Sequence, residues 1–208
     1  MSKTEVKQAL GSGVVIEAVQ SLTGAESIAP DHMGRSRESA VGYVPKNLSV
    51  DSGLLREVQV QLTQQATLLD ARQWDAWMDL FTEDGVYWMP AAPEQADWAS
   101  QPSIFAEDRL LMEIRAARLL HPNAWSQAAQ WATHHLLGTT LVEAMQGETV
   151  STYTPFQMME VRRDKVRHFG GSYRHHLVRQ GGHWKIRLQR VDLFNAQASY
   201  DYVIQAWV

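Results

Sequence analysis

The 208-residue sequence predicts an α+β fold in which helices come first and a curved antiparallel sheet follows. Three observations predict it. Apolar side chains recur at helical spacing between residues 54 and 81. From Trp131 onward the chain turns to runs rich in β-branched and aromatic residues, separated by "QGE", "RRDK" and "RQGG". Within the last run, Trp184, Ile186 and Leu188 alternate with Lys185 and Arg187, as in a strand with one buried face.

Residues 1–53 hold six of the thirteen glycines and only one aromatic residue, Tyr43. They read as an arm that docks on a partner subunit, with a short helix at 4–9 and a brief helix or strand in "SGVVIEAVQSL". The domain proper then spans residues 54–208. Leu54, Leu55, Val58, Leu62, Ala66 and Leu69 mark a first helix, capped by Asp51 or Ser52. Trp74, Trp77, Met78 and Phe81 mark a second, which "TEDG" ends with Gly85 in the left-handed turn. "VYWM" reads as a strand stopped by Pro90, and residues 104–120 as a third helix. Four sheet segments follow. Pro155 implies a strand edge or a bulge, and the alternation slips at Arg190–Val191, which implies a bulge and a bent strand. A curved sheet around helices makes a cone.

Composition narrows the function. A formal net charge of −4 argues against nucleic acid as a partner, because phosphate-binding domains carry a basic surplus. The absence of cysteine excludes disulfides and Cys-held zinc or iron–sulfur centres. No apolar stretch fits a signal peptide or a membrane span, so the expectation is a cytoplasmic protein with no membrane partner.

The stretch "WDAWMDLFTEDGVYWMP" (74–90) concentrates three tryptophans. Trp74, Trp77, Met78 and Phe81 share one helix face and read as core, with Trp88 closing the same cluster. Glu83 and Asp84 read as a solvated turn. Adjacent pairs His134/His135 and His175/His176 point to opposite faces of a strand, so neither makes a two-histidine ligand set. The sequence therefore offers no catalytic, cofactor-binding or metal residues. In "EDRLLMEIRAARL", Arg109 and Glu113 form an i, i+4 pair, and Arg115 and Arg118 lie one turn apart. Arg109, Arg115 and Arg118 are the candidate interface residues, because planar guanidinium groups favour subunit boundaries. "RRDKVR" reads as a basic hairpin tip.

Leu68-Leu69-Asp70 followed by "WDAWMDLFTEDGVYWMP", then "EDRLLMEIRAARL" and the closing "GGHWKIRLQRVDL", resembles the small (beta) subunit of aromatic ring-hydroxylating dioxygenases. The resemblance covers residues 54–208. The arm is longer than the family's. The resemblance implies the cone fold of nuclear transport factor 2 and scytalone dehydratase. It also implies a homotrimer supporting three large (alpha) subunits in a hetero-hexamer, with the Rieske 2Fe-2S cluster and the mononuclear iron in the large subunit and no cofactor in this chain. The competing reading is a stand-alone isomerase or dehydratase of the cone fold. Asp70, Tyr87, His134 and Tyr173 would then carry the acid–base chemistry.

Overall fold

The computed structural model describes residues 40, 42–121, 123–124, 130–200 and 202–208. The expected helix at 4–9, the "SGVVIEAVQSL" stretch and most of the expected arm lie outside them.

Helix α1, Ser52–Asp70, begins where Asp51 accepts hydrogen bonds from the Gly53 and Leu54 amides at 2.8 and 3.1 Å. Its first turn thus takes in Ser52 and Gly53. Val58, Leu62, Ala66 and Leu69 form its buried stripe. Helix α2 is shorter than its spacing predicts, running only Trp74–Met78. "TEDG" does not cap it. Those residues belong to strand β1, Phe81–Pro90. The chain is captured early, because the Leu80 carbonyl accepts from the Ile186 amide at 2.8 Å. Gly85 has no left-handed backbone; it is needed for close approach. A Cβ there would sit 2.9 Å from the Ile186 carbonyl oxygen and from the Thr82 carbonyl oxygen.

The expected third helix divides. Ser103–Glu107 is strand β2, paired antiparallel to β1, and helix α3 runs Arg109–Leu120. Asp108 fixes the boundary by accepting from the Leu111 amide at 2.9 Å. Five strands follow: β3 Trp131–Leu137, β4 Leu141–Gln146, β5 Thr149–Arg162, β6 Lys165–Gln180 and β7 His183–Leu193. The sheet order is β2-β1-β7-β6-β5-β3, with β4 also on β5. All pairs are antiparallel except β1 with β7. The "RQGG" turn is a two-residue loop with φ of 58° and 83° at Gly181 and Gly182, the combination a tight hairpin requires.

Two expectations about the sheet change in detail. Strand β5 is interior, not an edge. Pro155 is tolerated because it falls where β4 ends and β3 takes over as partner, and only its carbonyl is used there, accepting from Gly138 at 2.7 Å. The irregularity in β7 lies at Arg187, where His176 opposes Leu188 and Leu177 opposes Ile186. The apparent slip at Arg190–Val191 arises because both faces of the sheet are covered there.

The sheet curves around α1 and α2. Its concave face buries Trp74, Trp77, Phe81, Tyr87, Phe156, Tyr173, Leu177 and Ile186 together with Trp207 from the last residues. Trp88 is not part of that cluster. It faces the convex side with Val86 and Leu188 and donates to Ser103 Oγ at 2.9 Å. Half of the convex face has a cover. The Arg190 guanidinium donates to the Gln95 and Pro93 carbonyls at 2.7 and 3.3 Å and stands 4.3 Å over the Trp88 ring. Asp192 accepts from Arg174 and Arg190. Tyr43 lies over this half, 6.1 Å from the Tyr153 ring centroid and 4.5 Å beneath the Arg174 guanidinium. The described end of the expected arm therefore lies on this chain's own sheet. Among the described residues no helix is long and apolar enough to cross a membrane.

Candidate functional site

The three arginines expected from the sequence as interface candidates lie on α3, in very different settings. Arg109 donates to the Met78 carbonyl and lies 3.8 Å from both Asp79 and Glu113. Arg115 is committed inside the chain. Its Nε donates to Glu107 at 2.7 Å, and its guanidinium stacks 3.7 Å from the Phe105 ring centroid. Glu107 also accepts from Trp207 Nε1 at 2.9 Å. Burial pushes the Glu107 carboxyl above its ordinary range, and the Arg115 charge and Trp207 hydrogen bond only partly offset this. Arg118 is exposed and has no side-chain partner among the described residues.

Arg115 and Arg118 border a groove of about 260 Å³ whose apolar walls are Leu111, Ile114, Leu119, Val203 and Ile204. The geometry separates the two arginines energetically. Arg115→Ala leaves Glu107 buried without its main charge partner, and is expected to cost about 2–3 kcal/mol of fold stability. Arg118→Ala is expected to change stability by less than about 0.5 kcal/mol. Urea unfolding of the two variants checks this, and equal midpoints would refute the assignment of Arg115 to the fold.

The acid–base candidates of the competing reading are only partly brought together. Asp70, at the end of α1, accepts from His135 Nδ1 at 2.6 Å, from the His135 amide at 2.9 Å and from Thr133 Oγ1 at 2.9 Å. Burial raises this carboxyl, but the hydrogen bonds from His135 and Thr133 outweigh it and hold the pKa below the ordinary value. The partner is thus His135, facing inward. His134 faces out with 72% of its side chain exposed, 3.6 Å from Asp70. Tyr87 is occupied, donating to the Val208 carbonyl at 3.0 Å and accepting from its amide at 3.1 Å. Burial raises its pKa far above that of free tyrosine. Tyr173 is buried against Phe156, with rings stacked at 4.0 Å, and its hydroxyl has no partner among the described residues.

Trp207 packs among the aromatic side chains of the concave face. Its ring lies 4.7 Å from Trp77 and 5.1 Å from Trp74. Sequence reasoning missed Glu107, His135 and Trp207. For His135, strand parity left open which member of the pair faces inward. A polar row across the concave face was missed too. Thr152, His175, Gln189 and Tyr87 are neighbours in register, and His175 Nε2 donates to Gln65 of α1 at 3.0 Å. Among the described residues, no group of three or more His, Asp or Glu side chains converges as a metal-ligand set.

Comparison with known proteins gives a consistent answer. Residues 64–199 match the family model of the ring hydroxylating beta subunit. The small oxygenase component of the p-cumate 2,3-dioxygenase system of Pseudomonas putida is 26% identical over 132 residues, covering 62% of this chain and 73% of that protein. Among solved structures, the beta subunit of benzoate 1,2-dioxygenase from Burkholderia mallei superposes with a TM-score of 0.59 at 24% identity, over 76% of this chain and 99% of that one. A chain of naphthalene 1,2-dioxygenase, solved with indole in its active site, gives a TM-score of 0.62 at 15% identity over the whole of both chains. At these identities the structures establish the shared cone fold.

Proposed function

Because the chain belongs to the family of ring hydroxylating beta subunits, we propose that it is the non-catalytic small subunit of an aromatic ring-hydroxylating dioxygenase that works in the breakdown of aromatic compounds in the cytoplasm. Three copies form a trimer that holds three large subunits in register, and the large subunits carry the Rieske cluster and the mononuclear iron. The family match over residues 64–199 carries the reading. Two features of this chain support it. A Rieske cluster needs cysteine ligands, and the chain has none. The concave face, where the cone-fold enzymes would work, is occupied by Trp74, Trp77 and Trp207.

The competing reading retains one favourable observation, the Asp70–His135 pair with a buried Nε2 that has no partner among the described residues. One experiment addresses both readings. The chain is purified alone and co-expressed with a Rieske-type large subunit of its own organism. The expected result is a stable complex in which all iron travels with the large subunit, while the isolated chain is inactive. Stoichiometric iron in the isolated chain, or turnover of a small ketone or alcohol by it, would overturn the proposal.

A further inference from the structure

The convex face of the sheet is covered over one half and bare over the other. On the bare half, register places three rows side by side: Leu136, Gln157 and Gly170; His134, Met159 and His168; Ala132, Val161 and Val166. Phe194 lies against the first row, since a Cβ on Gly170 would meet its ring at 3.8 Å. Phe194 is 91% exposed, Leu136 63% and Val166 52%. An antiparallel sheet normally turns polar side chains to water, so exposed Phe194, Leu136, Met159 and Val166 set among Gln157, His134 and His168 mark a contact surface. The tip of the β5–β6 hairpin beside it carries Arg163 and Lys165 with Asp164, while Arg162 pairs with Glu160 at 3.0 Å and Arg167 stands 3.8 Å over the Tyr202 ring, on the other face of the sheet.

A second apolar strip lies on α3 and the last residues. Leu110 is 63% exposed, Ile114 51% and Val203 75%. Its N-terminal half is rimmed by acids: Asp75 and Asp108, which are exposed, and Asp79 and Glu113, with Arg109 lying 3.8 Å from both and the Lys185 ammonium donating to the Asp79 carbonyl. The two patches cannot meet within one chain. Helix α3 packs on β1 and β2 at one edge of the sheet, and the bare patch lies on β3, β5 and β6 at the other.

We propose that these patches are the two halves of the contact between copies of this chain. The acid-rimmed α3 strip of one protomer covers the bare convex patch of the next, with the basic β5–β6 hairpin against Asp79 and Glu113. The inference rests on the trimer of the preceding section and adds the surfaces. A three-membered ring needs a head-to-tail contact between two different patches, because a like-to-like contact closes at two copies. The charges agree with this, since a like-to-like contact would set the basic hairpin against itself. Head-to-tail packing buries both apolar patches in every copy and leaves no unpaired patch at the end of a chain of copies.

The absence of cysteine makes the test direct. Ile114→Cys and Met159→Cys are prepared singly in the full chain, mixed, and treated with a short thiol cross-linker, and the native mass is measured in parallel. The expected result is covalent dimer in the mixture, none with either variant alone, and covalent trimer when one chain carries both substitutions. Phe194→Asp is expected to shift the native mass from three chains to one without lowering the unfolding temperature. Cross-linking within a single-variant sample would overturn the head-to-tail arrangement. A native trimer without the 114–159 cross-link would overturn this contact and leave the trimer standing. A monomer at every concentration would overturn both. In the co-expressed complex, cross-linking of either position only to the large subunit would assign that patch to the large subunit and overturn the contact.

Discussion

Trp77→Ala is expected to lower the stability of the cone by about 3–5 kcal/mol, enough to threaten folding of an average domain. The side chain is fully buried. It meets Phe81 edge-on at 5.1 Å, Tyr87 at 6.0 Å and Trp207 at 4.7 Å between ring centroids, so it joins α2, β1 and the last residues of the chain. Removing the indole leaves a cavity walled by rigid rings that collapse poorly onto it. No hydrogen bond is lost, since Nε1 has no partner among the described residues. The cost is therefore one of packing, and Trp77→Phe should recover much of it. Urea unfolding of the isolated subunit measures both variants. An unchanged midpoint for the alanine variant would show that the indole belongs to a partner surface.

The same stretch shows how far sequence reasoning reaches. Helical spacing identified Trp74, Trp77 and Met78 as core because the pattern depends only on geometry within one helix. It failed for Phe81 to Gly85, where helical spacing continues but the backbone does not. The Leu80 carbonyl bonds to Ile186, more than a hundred residues away, and no local pattern reports such a partner. Ile104 and Phe105 were lost to a strand for the same reason, since β2 exists only because β1 offers it an edge. Trp88 was assigned to the wrong layer because successive residues of a strand face opposite sides, and Tyr87 and Met89 take the concave one. Among the candidate interface residues, the sequence supplied Arg115 but not its buried partner. Glu107 lies eight positions before Arg115, across the strand–helix junction, outside the i, i+4 rule that found Glu113. The bare convex patch was invisible in the sequence, since its rows come from three strands and a turn.

Acidification is expected to destabilise the subunit well before its carboxylates are protonated. Burial holds His175 far below the ordinary histidine value, to about 3, and holds its neighbour His176 to about 4, helped by the Arg174 and Arg187 charges. The unfolded chain takes up protons at both residues near pH 6.5, whereas the folded cone does not until much lower pH. Between those limits the unfolded state binds more protons, so stability rises with pH. This contribution is complete above about pH 6.5 and is lost as the pH falls toward 4 and then 3. At about 1.4 kcal/mol per pKa unit, the loss from His175 is of the order of 5 kcal/mol over the whole window. His176 is only half-buried and contributes less. Glu107 works in the opposite sense, because its raised pKa favours the folded state below the ordinary carboxylate range. A comparison of wild type with His175→Gln isolates the histidine. The glutamine amide keeps a donor for the Gln65 carbonyl oxygen, which His175 reaches at 3.0 Å, and cannot titrate. Urea midpoints measured between about pH 7.5 and about pH 4.5 should fall steeply for the wild type and less steeply for the variant. Parallel slopes would show that His175 is protonated in the folded cone as readily as in the unfolded chain, and that the polar row on the concave face is open to water.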